Sequence, residues 1–172
     1  MQIGSRELLR HFLASLAYRT QKALRGAPDD FGELRVAPGV RTPRELVRHM
    51  TSVLGYARTL FLGGAYETEP LPDLAAEVSR FHQMLEELAA LLREGVEVSA
   101  TEQQLLQGPF ADAMTHAGQL ALLRRLHGSP VPAENFLKAD INSANVGPDQ
   151  PLPRAPGRRD GTWDPAGVTE TR

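Results

Sequence analysis

The chain contains no cysteine. This absence excludes disulfide bonds, iron–sulfur clusters, cysteine-ligated zinc sites and a cysteine nucleophile from the protein's own chemistry. Any bound metal would therefore be held by histidine, aspartate, glutamate or backbone oxygen atoms. A chain without cysteine also fits a reducing compartment, and we expect the protein to reside in the cytoplasm.

The sequence also lacks a long apolar run and an excess of basic charge. No stretch approaches the roughly 18 apolar residues that span a bilayer, and the N-terminal residues lack the apolar segment of a signal peptide. The 19 lysine and arginine residues are balanced by 21 aspartate and glutamate residues, so we expect no basic stripe of the kind that binds nucleic acid. We therefore expect neither a membrane nor nucleic acid among its partners.

Four segments have the periodicity of amphipathic helices, and they are predicted to span about residues 5–24, 43–62, 73–94 and 109–127. The second has the clearest start, because Thr42, Pro43 and Glu45 form a capping-box pattern. A similar pattern from Thr101 to Gln104 predicts one short additional turn. No segment has a strand pattern long enough to build a sheet. The sequence therefore predicts an all-α fold, a four-helix bundle.

The composition changes after residue 130, where proline, glycine, asparagine and aspartate become frequent. Apolar residues are nevertheless scattered through this segment: Phe136, Ile141, Val146 and Trp163. We expect an irregular C-terminal strap that lies over the helices, with the last residues the loosest. Trp163 could cover a cleft or simply bury itself. The predicted organisation is a bundle of residues 1–147 followed by a tail of residues 148–172.

A possible metal site is the most informative feature of the sequence. Asp112 and His116 are four residues apart in the fourth predicted helix, so their side chains share one face. His49 from the second helix could complete a set of two histidines and one carboxylate, which leaves coordination positions open for water or substrate. The alternatives are that Asp112 merely stabilises the first turn of its helix and that His49 is a hydrogen-bonded structural residue.

Two residues close to His116 also need an explanation. Gln119 could orient His116 by hydrogen bonding, or it could be a solvated or inter-helix amide. Gly118 weakens a helix by roughly 1 kcal/mol relative to alanine, so we expect close packing against another helix at this position.

The remaining histidines and the basic pairs favour structural interpretations. His127 lies in the last turn of a helix, where a cationic side chain complements the helix dipole. His11 and His82 have no partner ligand at helical spacing, so we expect each at the surface or at the edge of the core. Arg124 and Arg125 are expected on a solvated helix face.

Two runs of the sequence carry a resemblance to a known family. Residues 41–50 and 106–130, together with residues 134–136, resemble the DinB-like superfamily (DinB/YfiT) of metal-dependent four-helix-bundle proteins. The most specific part is the Thr-His-Ala-Gly-Gln-Leu sequence of residues 115–120, followed by an Arg-Arg pair and Gly-Ser-Pro. The resemblance covers the chain from the first helix to about residue 147.

This resemblance implies an up-down-down-up bundle that is often dimeric, so a homodimer is expected. It also implies that His49, Asp112 and His116 hold a divalent metal, most simply zinc or nickel. The family usually has histidine where this chain has Asp112, and a carboxylate is a harder ligand than an imidazole.

The function implied by the resemblance is that of a bacterial metal-dependent enzyme acting on a small molecule. Such an enzyme would activate a low-molecular-weight thiol or water at the His49/Asp112/His116 site, as a thiol transferase or a hydrolase does. The alternative is a non-catalytic dimeric bundle, stress-related or a scaffold, whose metal site is vestigial.

Overall fold

The four helices predicted from the sequence are all present in the computed structural model, which describes residues 4–154. The helices in chain order are α1 (Ser5–Leu24), α2 (Pro43–Leu62), α3 (Leu74–Arg93), the single turn α4 (Glu102–Leu105) and α5 (Ala111–Leu126). Residues 4–154 contain no β-strand, so the predicted all-α class is confirmed for this part of the chain. None of these helices combines the length and the apolarity that a membrane span requires.

The helix α2 begins at the predicted capping box. The Thr42 hydroxyl accepts from the backbone N–H of Glu45 at 3.2 Å, and the Glu45 carboxylate accepts from the Thr42 N–H at 2.8 Å. The second predicted box is also present, between Thr101 and Gln104. Each box satisfies two backbone donors that the first turn of a helix would otherwise leave unpaired.

The last long helix begins later than predicted. Residues Leu106–Phe110 form a wider turn that is interrupted at Gly108 (φ −92°, ψ −107°), and regular α5 begins at Ala111 instead of Pro109. Pro109 has no N–H to donate to the preceding turn, which explains why the helix is distorted there. Asp112 consequently lies in the first turn of α5.

The four long helices pack around one apolar core. Helix α1 packs against α3 and α5, and α2 packs against the same two helices. The largest side chains that are completely buried, from these helices and the segments that connect them, are Tyr18, Phe31, Phe81, Phe110, Leu13, Leu16, Met50, Leu54, Leu85, Leu88, Leu105 and Leu120. Each large apolar side chain stabilises the fold by about 1.5–3 kcal/mol when fully buried, so this core fixes how α2 and α5 sit together.

Arg124 is buried, and the prediction that it lies on a solvated face is wrong. Its guanidinium group donates to the carbonyl oxygens of Ala23, Arg25 and Gly26 at 2.9–3.2 Å. These carbonyls lie at the C-terminal end of α1, where helical backbone acceptors have no partner within the helix. Arg124 therefore closes the end of α1 and ties it to α5.

The described part of the C-terminal strap, residues 130–154, lies against the helices. Val146 is buried and Ile141 packs on the core, while the Arg25 side chain donates to the carbonyl oxygen of Gln150 at 2.6 Å. His82 of α3 also holds this segment, because its Nδ1 lies 2.7 Å from the Val146 carbonyl oxygen. Trp163 lies outside the described residues.

Candidate metal centre

The three predicted ligands meet between two neighbouring helices. His49 comes from α2, and Asp112 and His116 come from successive turns of α5. One ligand atom from each side chain lies within 4.8 Å of the other two, and the rings of His49 and His116 have their centroids 4.8 Å apart. Bonds of about 2.0–2.2 Å to one ion bring two ligand atoms within about 4.4 Å of each other. The observed spread is close to what a shared ion requires.

His116 has one ring nitrogen that is satisfied and one that is not. Its Nδ1 lies 3.0 Å from the side-chain oxygen of Gln119. Because that oxygen can only accept, Nδ1 carries a proton, and in the neutral ring Nε2 then presents a lone pair. Nε2 is buried and has no hydrogen-bond partner among residues 4–154. It lies 3.3 Å from Asp112 Oδ1, which is a second acceptor.

A cation placed between these two acceptors would satisfy both of them. Buried polar atoms in proteins nearly always have a partner, so a buried nitrogen without one needs an explanation. The positions of His49 and Asp112 supply it, because an imidazole and a carboxylate converge on the same place. The residues present therefore fit a bound divalent ion.

His49 is half-buried and faces a positive side chain. Its burial, followed by the charges of Arg41 and His116, holds the pKa of the His49 imidazole below its ordinary value, although Asp112 opposes this effect. A lowered pKa favours the neutral imidazole, which is the form that binds metal. Asp112 is more open, since about half of its side chain is exposed, and it lies in the first turn of α5.

Gln119 and Gly118, the two residues singled out near His116, have different outcomes. Gln119 bonds to the His116 ring, as the orienting interpretation requires. Gly118 is exposed, and a side-chain carbon added there would meet no atom within 4 Å. The prediction that Gly118 packs closely against another helix is therefore wrong. An exposed position on α5 makes no demand for a small residue.

The other described histidines lie away from this group. His11 is exposed on α1. His127 Nε2 lies 3.1 Å from Asp30 Oδ1, and its ring packs edge-on against Phe31. His82 is buried, with 2% of its surface exposed, so its predicted placement at the surface or core edge is wrong.

A polar pocket beside His49 was not anticipated from the sequence. It has a volume of about 340 Å³ and is lined by Arg41, Glu45, Arg48, His49, Ser52 and Thr68. The signal that could have revealed it is the spacing of the polar residues at positions 41, 45, 48, 49 and 52. The spacing from 45 to 52 places four of these side chains on one face of α2, and Arg41 precedes the helix. Thr68, from the loop after α2, has no such signal.

Comparisons of this chain with protein-family models, with curated proteins and with solved structures found no match. The similarity to the DinB-like superfamily therefore stays a prediction from the quoted motifs. The function has to be inferred from the geometry of the His49/Asp112/His116 group and of the pocket beside it.

Proposed function

We propose that the protein is a divalent-metal-dependent enzyme of the DinB-like type, with the ion held by His49, Asp112 and His116. The observation that carries this proposal is the buried Nε2 of His116, which has no hydrogen-bond partner among residues 4–154 and lies 3.3 Å from Asp112 Oδ1. Two imidazoles and one carboxylate suit zinc or nickel among the common divalent ions.

The site has the properties that metal-assisted activation of a thiol or a water needs. When bound, the ion supplies Lewis acidity that favours the deprotonated form of such a nucleophile. Gln119 fixes the tautomer and orientation of His116, and the pocket next to His49 gives a small molecule access. Because the chain has no cysteine, a reacting thiol would belong to a low-molecular-weight cosubstrate. The reaction class is then thiol transfer or hydrolysis.

We further propose the up-down-down-up arrangement of the bundle. Arg58 and Glu87, which pair at 2.6 Å, both lie in the C-terminal halves of their helices, which supports parallel α2 and α3. Arg6 at the start of α1 donates to the carbonyl oxygen of Val96, just beyond the end of α3, which supports antiparallel α1 and α3. The contacts of Arg124 near the end of α5 with the end of α1 support parallel α1 and α5.

A homodimer and a cytoplasmic location complete the proposal, and the resemblance to DinB-like proteins supports them. Light scattering on the purified protein would test the assembly directly. We expect twice the chain mass of 18.8 kDa. A mass of one chain at all concentrations would contradict the dimer without affecting the metal site.

Metal analysis of the untagged, dialysed protein tests the enzymatic proposal. We expect close to one zinc or nickel ion per chain, and a melting temperature that rises when either ion is added. Ligand at a thousandfold excess over its dissociation constant stabilises a protein by about 4 kcal/mol. His49→Ala and His116→Ala should abolish this gain, whereas His11→Ala, a change of the same type at an exposed histidine, should keep it.

Two results together would contradict the enzymatic proposal. The dialysed protein would hold less than a few tenths of a metal ion per chain, and zinc, nickel and manganese would all leave its melting temperature unchanged. The non-catalytic bundle with a vestigial site would then be the interpretation that fits.

A further inference from the structure

Two arginines in the pocket beside His49, Arg41 and Arg48, are exposed and partly exposed respectively. Neither makes a hydrogen bond, ion pair or aromatic contact with any residue in the described range 4–154. Arginines elsewhere in the molecule are used differently: Arg44 and Arg58 pair with glutamates, and Arg124 donates to backbone carbonyls. The guanidinium groups of Arg41 and Arg48 are therefore available to a ligand that enters the pocket.

The single carboxylate in the pocket lining, Glu45, pairs with groups other than these two arginines. One oxygen of Glu45 accepts from the Thr42 N–H in the capping box, and the other lies 3.4 Å from a guanidinium nitrogen of Arg35, outside the pocket lining. Two like charges held near each other attract an anion into the space between them. A guanidinium group also presents paired N–H donors that match the oxygens of a carboxylate or a phosphate.

Two hydroxyl groups complete the lining. Ser52 lies one turn beyond Arg48 on α2, and Thr68 comes from the loop that follows. Tyr66 holds this loop against α2, because its ring occupies the space that a side chain at Gly55 would fill: an added Cβ would lie 1.9 Å from the ring. The hydroxyls of Ser52 and Thr68 have no hydrogen-bond partner within the described chain, so both remain available to a ligand.

The pocket and the candidate metal centre share one residue. His49 lines the pocket and also belongs to the ligand group. A molecule seated in the pocket therefore lies directly beside the ion site. The volume of about 340 Å³ is near the lower end of the range for small-molecule sites, which restricts the occupant to a small compound.

We infer that this pocket binds the carboxylate or phosphate group of a small anionic substrate through Arg41 and Arg48, and so places the rest of that substrate beside the metal centre. That the anion is a substrate rests on the proposed function, whereas the binding of the anion does not. The hydroxyls of Ser52 and Thr68 donate to the remaining oxygens.

Calorimetric titration of the full chain with succinate and with inorganic phosphate tests the inference. The protein is first dialysed against a chelator, so that neither anion can bind through a metal, and ionic strength is held constant. We expect at least one anion to bind, and Arg41→Gln/Arg48→Gln to weaken binding by more than about tenfold, since each lost charged hydrogen bond contributes substantially. Binding of succinate alone would identify a carboxylate site, and binding of phosphate alone a phosphate site.

The matched control is Arg93→Gln/Arg154→Gln, which removes the same charge from two exposed arginines far along the chain. It should bind the anion as the parent protein does. Because His49 lines the pocket, the anion should also shift the NMR resonances of its ring, both in the parent protein and in this control variant. If neither anion binds the parent, or if both double variants weaken binding equally, the inference is wrong.

Zinc binding separates the two proposals. Arg41→Gln/Arg48→Gln should take up zinc as the parent protein does, because neither arginine belongs to the ligand group. If zinc binds but no anion does, the pocket inference fails and the metal proposal stands. If an anion binds in the pocket and no divalent ion binds anywhere, the metal proposal fails and the pocket remains an anion site.

Discussion

Two buried histidines in this protein have opposite hydrogen-bonding states. His82 has 2% of its surface exposed and His116 has 8%. The ring of His82 donates through Nδ1 to the Val146 carbonyl oxygen and accepts through Nε2 from the Gln21 amide, at 2.7 and 2.8 Å. The ring of His116 is satisfied at Nδ1 alone, and its Nε2 is left beside a carboxylate and a second imidazole.

This difference separates a structural residue from a candidate site. Burial of a polar atom is costly unless a partner replaces the water that it loses. His82 recovers that cost through two bonds that join α1, α3 and the C-terminal strap. His116 recovers only part of it within residues 4–154, because its Nε2 has no hydrogen-bond partner there, and this makes His116 a candidate ligand. The state of the ring nitrogens is thus more informative than burial itself.

The largest effect on stability should come from replacing His82. We expect His82→Ala to lower the free energy of unfolding of the metal-free protein by about 2–4 kcal/mol, since it leaves a cavity and takes the partners from the buried Val146 carbonyl and the partly buried Gln21 amide. His116→Ala should cost clearly less, because it also leaves a cavity but removes a single bond together with a buried nitrogen that has no partner. Urea denaturation of chelator-treated proteins measures both, with His11→Ala as the exposed control.

Equal losses of unfolding free energy in His82→Ala and His116→Ala would contradict the distinction between the two histidines. Such a result would mean that His116 stabilises the metal-free fold as His82 does, and that its Nε2 has a partner in solution. The interpretation of His116 as a metal ligand would then lose its main support.

Each of the two histidines has a glutamine partner, Gln119 for His116 and Gln21 for His82, and replacing these glutamines should have different effects. Gln119→Ala should weaken zinc or nickel binding by about 10–100-fold, because a partner that orients a ligating histidine has effects of this size. Gln21→Ala should leave metal affinity unchanged and cost about 1 kcal/mol of stability, since the His82 Nε2 loses its donor. Competition with a chromophoric chelator measures the affinities. A metal affinity that is unaffected by Gln119→Ala would show that Gln119 is an ordinary surface amide.

Lowering the pH should reduce the contribution of His82 to the stability of the fold. Burial lowers the pKa of the His82 imidazole, outweighing the opposing effects of the Val146 carbonyl and of Glu86. Above its ordinary pKa of about 6.5, the ring is neutral in both folded and unfolded chains. As the pH falls below that value the unfolded chain binds the proton first, so stability is lost until the folded pKa is passed.

The loss from this one group cannot exceed about 1.4 kcal/mol per pH unit. Urea midpoints between pH 7.5 and pH 5 should fall more steeply for the parent protein than for His82→Gln, which cannot titrate. Parallel slopes in the two proteins would mean that His82 does not titrate differently on folding.

Local sequence signals predicted the helices well because each signal has a local physical cause. The capping boxes at Thr42 and Thr101 satisfy backbone donors a few residues away, so they can be recognised without knowledge of the fold. The pairing of Asp112 with His116 is also local, because a helix sets their spacing. The late start of α5 was missed because proline also suits the first position of a regular helix, whereas here Pro109 belongs to the distorted turn at Gly108.

Features that depend on distant contacts could not be predicted. Burial of His82 follows from its contact with Val146, which is 64 residues away. Burial of Arg124 follows from the free carbonyls at the end of α1, about 100 residues earlier in the chain. The expected packing of Gly118 failed for a related reason, since its helix propensity reports nothing about its neighbours. The fold class was thus accessible from periodicity, whereas the partners of individual polar residues were not.

The smallest effect on the metal-free protein should come from Asp112, and it is informative for that reason. About half of this side chain is exposed, so Asp112→Asn should change the free energy of unfolding by less than about 0.5 kcal/mol. The same change removes the negative charge from the group formed with His49 and His116. The stabilisation by added zinc or nickel should therefore fall, although the metal-free proteins are equally stable. If thermal unfolding instead shows the full metal-induced stabilisation in Asp112→Asn, the carboxylate is not a ligand, and the aspartate does no more than stabilise the first turn of α5.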